Sequence, residues 1–264
     1  MSNGMSDGVV RGERDGHLLH IEVDRADKMN GFTPEMFDAL SEQLTVLDED
    51  TELWVGVLTF AGKHTTAGLD LPRFAGSMQS GERDSTSDER VDAFGLRRRC
   101  RKPLVMAVQG VTFTIGIEMM LAADIVIAAD DCRFCQMEPK RGLAVFGGAH
   151  LRYVQRAGWG NAMYHLLRAD EFDAARALQL GFVQEVVLAG EQIQRACEVA
   201  REICANAPLA VQEIKRGAQV YLDAGEQAAI GEIPTMRQRT ANSQDFAEGV
   251  ASFMEKRPPK FTGE

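Results

Sequence analysis

Residues 53–60, Leu-Trp-Val-Gly-Val-Leu-Thr-Phe, are almost continuously apolar and rich in β-formers. A run this short that is apolar on both alternating faces reads as a strand buried on both sides, which points to a sheet covered by helices. Residues 104–108, introduced by Pro103 and ended by Gly110, form a second such run; 125–129 and 182–187 form a third and a fourth. Helical stretches separate them, so the first part of the chain reads as βα-type units. Leu19, Ile21 and Val23 alternate with polar neighbours, as in a half-buried strand. Thr33 is placed to cap a helix with Pro34 at its first position and Glu35 following. Met36, Phe37, Leu40, Leu44 and Leu47 give that helix its apolar stripe.

Residues 75–90 break the pattern. They are polar, Gly/Ser-rich and without periodicity, and are expected to be a mobile surface loop that helps shape a pocket. Beyond about residue 190 the character changes: 191–205, 210–222 and 227–240 read as helices, and Ser243 opens a last one. The 264 residues suit one large α/β domain with a helical extension. The expected division is a disordered tail over 1–8, an α/β core over 9–190 and a helical section over 191–264 that covers the core or packs on another subunit.

The formal net charge of −10 argues against broad binding to nucleic acid or an anionic membrane, both of which need a basic face. Arg97, Arg98, Arg99, Arg101 and Lys102 form one local basic cluster, of the kind usually found at a solvated helix end. No apolar run approaches the ~20 residues of a membrane-spanning helix. Five scattered cysteines, an odd number, suit reduced thiols in the cytoplasm. Cys132 and Cys135 form a C-x-x-C without a second pair or a nearby histidine, so no metal site is expected. The five histidines have neither H-E-x-x-H nor triad spacing.

Four segments carry possible chemistry. Ala67-Gly68-Leu69-Asp70-Leu71 follows the strand at 53–60, where a glycine lets backbone approach a ligand. In the second, a strand ends at Gly110 and Thr114 can cap a helix starting at Ile115. That helix is apolar on every side except at Glu118, so it should be buried. Burying a lone carboxylate is costly; Glu118 is either a first-turn acid held by the helix dipole or an acid–base group with a raised pKa. The third is Phe134-Cys-Gln-Met-Glu138-Pro139, followed by Gly142 and Gly147-Gly148. Pro139 holds Glu138 in extended or turn backbone. The fourth runs from Asp245 to Arg257 and carries Phe253 and Lys256 near a helix end.

In this order and spacing the segments resemble the enoyl-CoA hydratase/isomerase (crotonase) family, over nearly the whole chain from Arg25-Ala-Asp-Lys28-Met-Asn30 to Glu-Lys-Arg near the C-terminus. Ala122-Ala123-Asp124 and the stretch from Asp173 to Gly181 are similar to the family's as well. The resemblance implies a crotonase-like spiral of ββα units and an enzyme that stabilises the enolate of an acyl-CoA thioester. Backbone N–H groups of Leu69 and Ile115 would hold the oxyanion. Glu118 and Glu138 would be the acid–base pair of a hydratase, Glu138 giving the proton to C2 and Glu118 helping to activate water. Lys28, Ala67, Gly68, Leu69 and Asp70 would hold coenzyme A, with Phe253 and Lys256 reaching the nucleotide, often from a neighbouring subunit. No cofactor or metal is implied beyond coenzyme A in the substrate, and the assembly would be a homotrimer or a dimer of trimers in the cytoplasm.

The chain departs from the family pattern at three places. Thr114-Ile115-Gly116 stands where the family usually has three glycines, and the β-branched Ile115 should narrow or shift the acyl site. His64-Thr65-Thr66 replaces the usual Phe-Ser, with His64 at the coenzyme A entrance or, more simply, in a surface turn. Val145 replaces a proline. The alternatives to a hydratase are an isomerase or hydrolase on the same fold, or a noncatalytic acyl-CoA-binding paralogue.

Overall fold

The computed structural model describes residues 7–80 and 89–264, apart from the side chains of 75 and 77–80. Residues 1–6 of the expected tail, and 81–88 of the expected loop, lie outside the described residues. Asp7 pairs with Arg73 at 2.6 Å, and the first strand begins two residues later.

One six-stranded sheet organises the chain. Strands β1 (Val9–Asp15) and β2 (Leu18–Asp24) form an antiparallel hairpin. β2 then pairs in parallel with β3 (Val55–Phe60), β3 with β4 (Leu104–Val108), β4 with β6 (Ile125–Ala129), and β6 with β9 (Glu185–Val187). A smaller sheet joins β5 (Val111–Phe113), β7 (Arg133–Cys135) and β8 (Phe172–Asp173). β4 leads through Gly110 into β5 and then into helix α3 (Ile115–Ala122). β6 leads into β7 and then into α4 (Ala149–Arg168), which is broken at Gly158. β3 leads to an isolated parallel bridge between Thr66 and Thr112 and then into α2 (Leu71–Ser80). Each turn therefore places one strand in the large sheet and one extended segment in the small layer before its helix, which is the expected ββα spiral.

Period-two alternation distributes the apolar residues. Val55 and Val57 of β3, with Val105, Ala107 and Ile127, pack under Ala196, Val199 and Ala200 of α6 (Gln192–Cys204). Leu58, Phe60, Met106, Val108 and Val126 face the opposite side, against α1 (Pro34–Glu49) and α3. Thr33 caps α1 as expected, accepting the Met36 amide at 3.3 Å. Helices α5 (Ala174–Gln179), α7 (Pro208–Ala224), α8 (Glu226–Ala241) and α9 (Gln244–Glu255) complete the chain.

Three expectations are corrected. Residues 75–80 belong to α2 rather than to an irregular loop; a Gly/Ser-rich composition lowers helix propensity without forbidding a helix that is extended from the apolar turn at Leu71 and Phe74. The run 182–187 is a strand only from Glu185, because Phe182 and Val183 are buried without pairing to β6. Thr114 stands at the start of α3 but its side chain makes no capping bond; its backbone lies at φ 51°, ψ −115°.

Candidate active site

The two glycine-bearing turns of the spiral meet in space. Phe32 N–H donates to Gly68 O at 2.9 Å and Asp70 N–H donates to Phe32 O at 2.8 Å, which leaves the intervening Leu69 N–H pointing away from that bridge. Ile115 opens α3, so its N–H has no acceptor one turn earlier. Among the described residues neither N–H makes a hydrogen bond. Both peptides line one cavity of about 310 Å³, together with Ala67, Gly68 and Thr114. Two unpaired amides on one wall, one of them at the positive end of a helix, form an arrangement suited to stabilising a developing oxyanion.

The conformation of Thr114 is that of the first central residue of a type II′ turn, a place glycine takes. Its neighbour across the gap is Gly68, at φ +114°: a Cβ there would stand 2.5 Å from Thr114 Oγ1. Gly68 precedes Leu69 and Thr114 precedes Ile115, so this contact joins the two amide-bearing segments. The Thr114 hydroxyl is buried and has no hydrogen-bond partner.

Glu138 begins a 3-10 turn (Glu138–Arg141) and lines the same cavity. It is only 5% exposed. Burial pushes its carboxyl above the ordinary range, opposed by its own backbone N–H. With its amide nitrogen turned towards them, Gln136 donates to Thr114 O at 3.2 Å and to Glu138 Oε2 at 3.1 Å. That link ties Glu138 to the turn that carries the Ile115 amide.

Glu118 lies behind this wall rather than on it. It is 0% exposed, and it is not among the cavity-lining residues. Its Oε1 accepts the Ala149 N–H at 3.1 Å, at the first turn of α4. Its Oε2 has no partner. Burial, then the nearby charge of Glu138, push the Glu118 carboxyl up to about 7 against the opposing Ala149 and Gly147 amides and Arg152. Gly147 is pressed against it: a Cβ on Gly147 would stand 2.5 Å from Oε2.

The proposed coenzyme A residues separate into three groups. Ala67, Gly68 and Leu69 line the cavity. Lys28 lies beside it, in a 3-10 turn whose Met29 carbonyl accepts the Ala67 N–H at 3.0 Å. Asp70 is engaged by the protein, since its Oδ2 accepts from buried Arg25 at 2.9 Å. Phe253 lines a different cavity, near Ala207 and Phe261, and Lys256 caps the end of α9; neither joins the Glu138 cavity. His64 accepts the Val111 N–H on Nδ1 at 3.1 Å and so fixes the turn between β4 and β5. Cys132 and Cys135 are buried and free, and the described residues hold no cluster of three metal-ligating side chains.

Sequence reasoning passed over Arg25, Gln136, Arg141 and Gly147. Gln136 and Arg141 flank Glu138 within the same motif, a proximity that could have drawn attention to them. Nothing local marked Gly147 as the neighbour of Glu118.

Residues 13–264 match the model of the family described as enoyl-CoA hydratase/isomerase. The enoyl-CoA hydratase EchA19 of Mycobacterium tuberculosis is 32% identical, over 94% of this chain and 94% of that protein. The peroxisomal Delta(3,5)-Delta(2,4)-dienoyl-CoA isomerase of Arabidopsis thaliana is 27% identical, over 96% of this chain and 95% of that protein. A crystal structure of a probable enoyl-CoA hydratase/isomerase from Mycobacterium abscessus superposes with a TM-score of 0.92 at 38% identity, covering 97% of this chain and 98% of that one.

Proposed function

From the premise that the chain belongs to the enoyl-CoA hydratase/isomerase family, we propose that it adds water across the double bond of a 2-enoyl-CoA thioester. It is an enoyl-CoA hydratase, a hydro-lyase. The observation that carries the catalytic assignment is the sharing of one cavity wall by desolvated Glu138 and the free amides of Leu69 and Ile115, with a second carboxyl, Glu118, buried behind it.

The thioester carbonyl accepts from Leu69 and Ile115 N–H. Conjugation makes C3 electrophilic, and attack there moves charge onto the carbonyl oxygen, where a well-placed donor typically contributes ~3 kcal/mol. Glu118, with Oε2 unpaired and its carboxyl poised near neutrality, takes the proton of the attacking water. Glu138, which lines the cavity beside the two amides, gives its proton to C2 as the enolate collapses. The proton that Glu118 takes from water then passes to Glu138 to replace the one given to C2, so both carboxyls are restored and the sum is addition of one water. These groups supply acid, base and oxyanion stabilisation, and the proposed cycle draws on no cofactor.

Coenzyme A would lie along Lys28, Ala67, Gly68 and Leu69, with Asp70 acting through the loop it anchors. Phe253 and Lys256 would serve the nucleotide of a neighbouring subunit, because they lie apart from the cavity within one chain. Exposed Ile214, Ile233, Phe253 and Met254 on the C-terminal helices support a homotrimer or dimer of trimers, with 191–264 as the assembling section. Five free cysteines suit the cytoplasm, and among the described residues no helix is long and apolar enough to cross a membrane.

The deciding experiment follows loss of conjugated-thioester absorbance over a panel of 2-enoyl-CoA substrates. Glu138→Gln and Glu118→Gln should each lower hydration by ~10²–10⁴-fold. An isomerase working with Glu138 alone would lose little on Glu118→Gln. Absence of hydration with every substrate would refute the assignment.

A further inference from the structure

The cavity contains one basic side chain. Arg141 closes the 3-10 turn that Glu138 opens, and Gly142 follows it in left-handed backbone at φ 71°. Arg141 lines the cavity, yet among the described residues its guanidinium makes no ion pair and no hydrogen bond. Arg133, by contrast, is held by Glu171.

Around the guanidinium the wall is apolar and open. Leu71, Leu143 and Phe146 line the cavity and are 42%, 36% and 43% exposed. An acyl chain lying across them would bury apolar surface that the free protein leaves in water. A plain hydrocarbon end would also take water from the guanidinium and return no acceptor, which is unfavourable. A carboxylate at the end of the chain would meet the planar fork in two parallel hydrogen bonds.

We propose that Arg141 is a specificity-determining residue that selects 2-enoyl-CoA thioesters whose acyl chain ends in a carboxylate. The proposal deepens the hydratase assignment and rests on the acyl group entering the Glu138 cavity. The same chemistry could come from a phosphate of coenzyme A, so the test separates the two sources.

Calorimetric titration with unreactive saturated ligands provides it: hexanoyl-CoA, its ω-carboxylated counterpart adipoyl-CoA, and free coenzyme A, each against the wild type, Arg141→Gln and Arg141→Lys. The wild type should bind adipoyl-CoA about tenfold to a hundredfold tighter than hexanoyl-CoA, the range for a hydrogen-bonded charge pair. Arg141→Gln should abolish that preference while leaving hexanoyl-CoA and free coenzyme A unchanged and the melting temperature unaltered. Arg141→Lys should retain part of it. Equal weakening of all three ligands would assign Arg141 to the phosphates and overturn the proposal, as would a wild type without preference. A preserved binding preference with no turnover of either matching 2-enoyl thioester would instead refute hydration and leave the subsite standing.

Discussion

Glu118 Oε1 accepts the Ala149 amide N–H at 3.1 Å, so the most deeply buried carboxyl of the site also caps the helix α4, whose own N-cap, Gly148, has no side chain to do so. The bond stabilises the helix end, while burial opposes the charge that would strengthen it. The balance lies with burial, because the carboxyl is pushed from its ordinary 4.5 up to about 7.

That balance predicts a pH effect of definite sign. The folded chain holds the Glu118 proton more tightly than the unfolded chain does. Stability should therefore fall as pH rises from about 4.5 to about 7 and level off above. At ~1.4 kcal/mol per pH unit the full effect is about 3 kcal/mol. Glu118→Gln keeps an acceptor for Ala149 but no charge. It should flatten this part of the profile and melt several degrees higher than the wild type at pH 8, although hydration collapses. Thermal melts between pH 4.5 and pH 8 check this; a lower melting temperature for the variant at pH 8 would refute it.

Thr114 and Gly68 predict a second exchange of stability for function. Thr114→Gly relieves a backbone conformation worth ~1–3 kcal/mol of strain and removes a buried hydroxyl without a partner. Added freedom of the unfolded chain returns ~0.5–1 kcal/mol. The net expectation is a melting temperature a few degrees higher, with slower turnover as the contact between the two amide-bearing segments loosens. Gly68→Ala should destabilise by at least ~2 kcal/mol, from the positive φ and the close approach to Thr114 Oγ1. In a Thr114→Gly background the steric part should vanish and the backbone part remain. Additive effects across this cycle would show that the two residues do not touch.

Arg25 should matter more than its distance from the chemistry suggests. It is 2% exposed and its Nη1 donates to Gly31 O at 2.7 Å and to Asp70 Oδ2 at 2.9 Å. Arg25→Met removes the buried guanidinium's bonds to Gly31 O and Asp70 Oδ2, for a loss of ~1–3 kcal/mol, and frees the turn that presents Leu69. Chemical denaturation should show the loss, and hydration should fall through kcat. Asp70→Asn, which keeps a hydrogen-bond acceptor, should do less. Equal losses from the two changes would place the effect elsewhere.

These residues also mark how far the sequence could be read. Strand β3 was legible because eight nearly unbroken apolar residues have few alternatives to a sheet buried on both faces, and α1 because Thr33, Pro34 and the apolar stripe agree. The burial of Glu118 was legible for the same reason: a helix apolar all round has no wet side. Thr114 was not. A threonine before a helix reads locally as a cap, and its backbone is set by long-range contacts, including the Thr114 N–H to Cys135 O bond at 2.9 Å. Nor did the spacing of the two carboxyls tell that Glu138 faces the cavity while Glu118 sits behind it, since that depends on the path of residues 142–148. Phe253, on α9, and Lys256, at its end, stand apart from the cavity, a separation that spacing along the sequence does not reveal.

That path yields the last prediction. Gly147 has no positive φ, so its need for glycine is steric: an added Cβ would stand 2.5 Å from Glu118 Oε2, 2.7 Å from Cδ and 2.8 Å from Phe94 Cδ1. Glu118 cannot withdraw easily, because Oε1 is tied to Ala149 and the side chain is wholly buried. Gly147→Ala should therefore cost ~1–3 kcal/mol of stability, the usual range for overpacking. Displacing Oε2, the oxygen proposed to receive the proton of water, should lower kcat by about a hundredfold. KM should change little, because Gly147 is not among the residues lining the cavity that holds the Leu69 and Ile115 amides. Glu118→Ala removes the atoms struck by the methyl group. In that background Gly147→Ala should lose most of its stability cost and have no further effect on the residual rate. If the full cost persisted without the Glu118 side chain, the requirement for glycine would come from Phe94 rather than from the carboxyl.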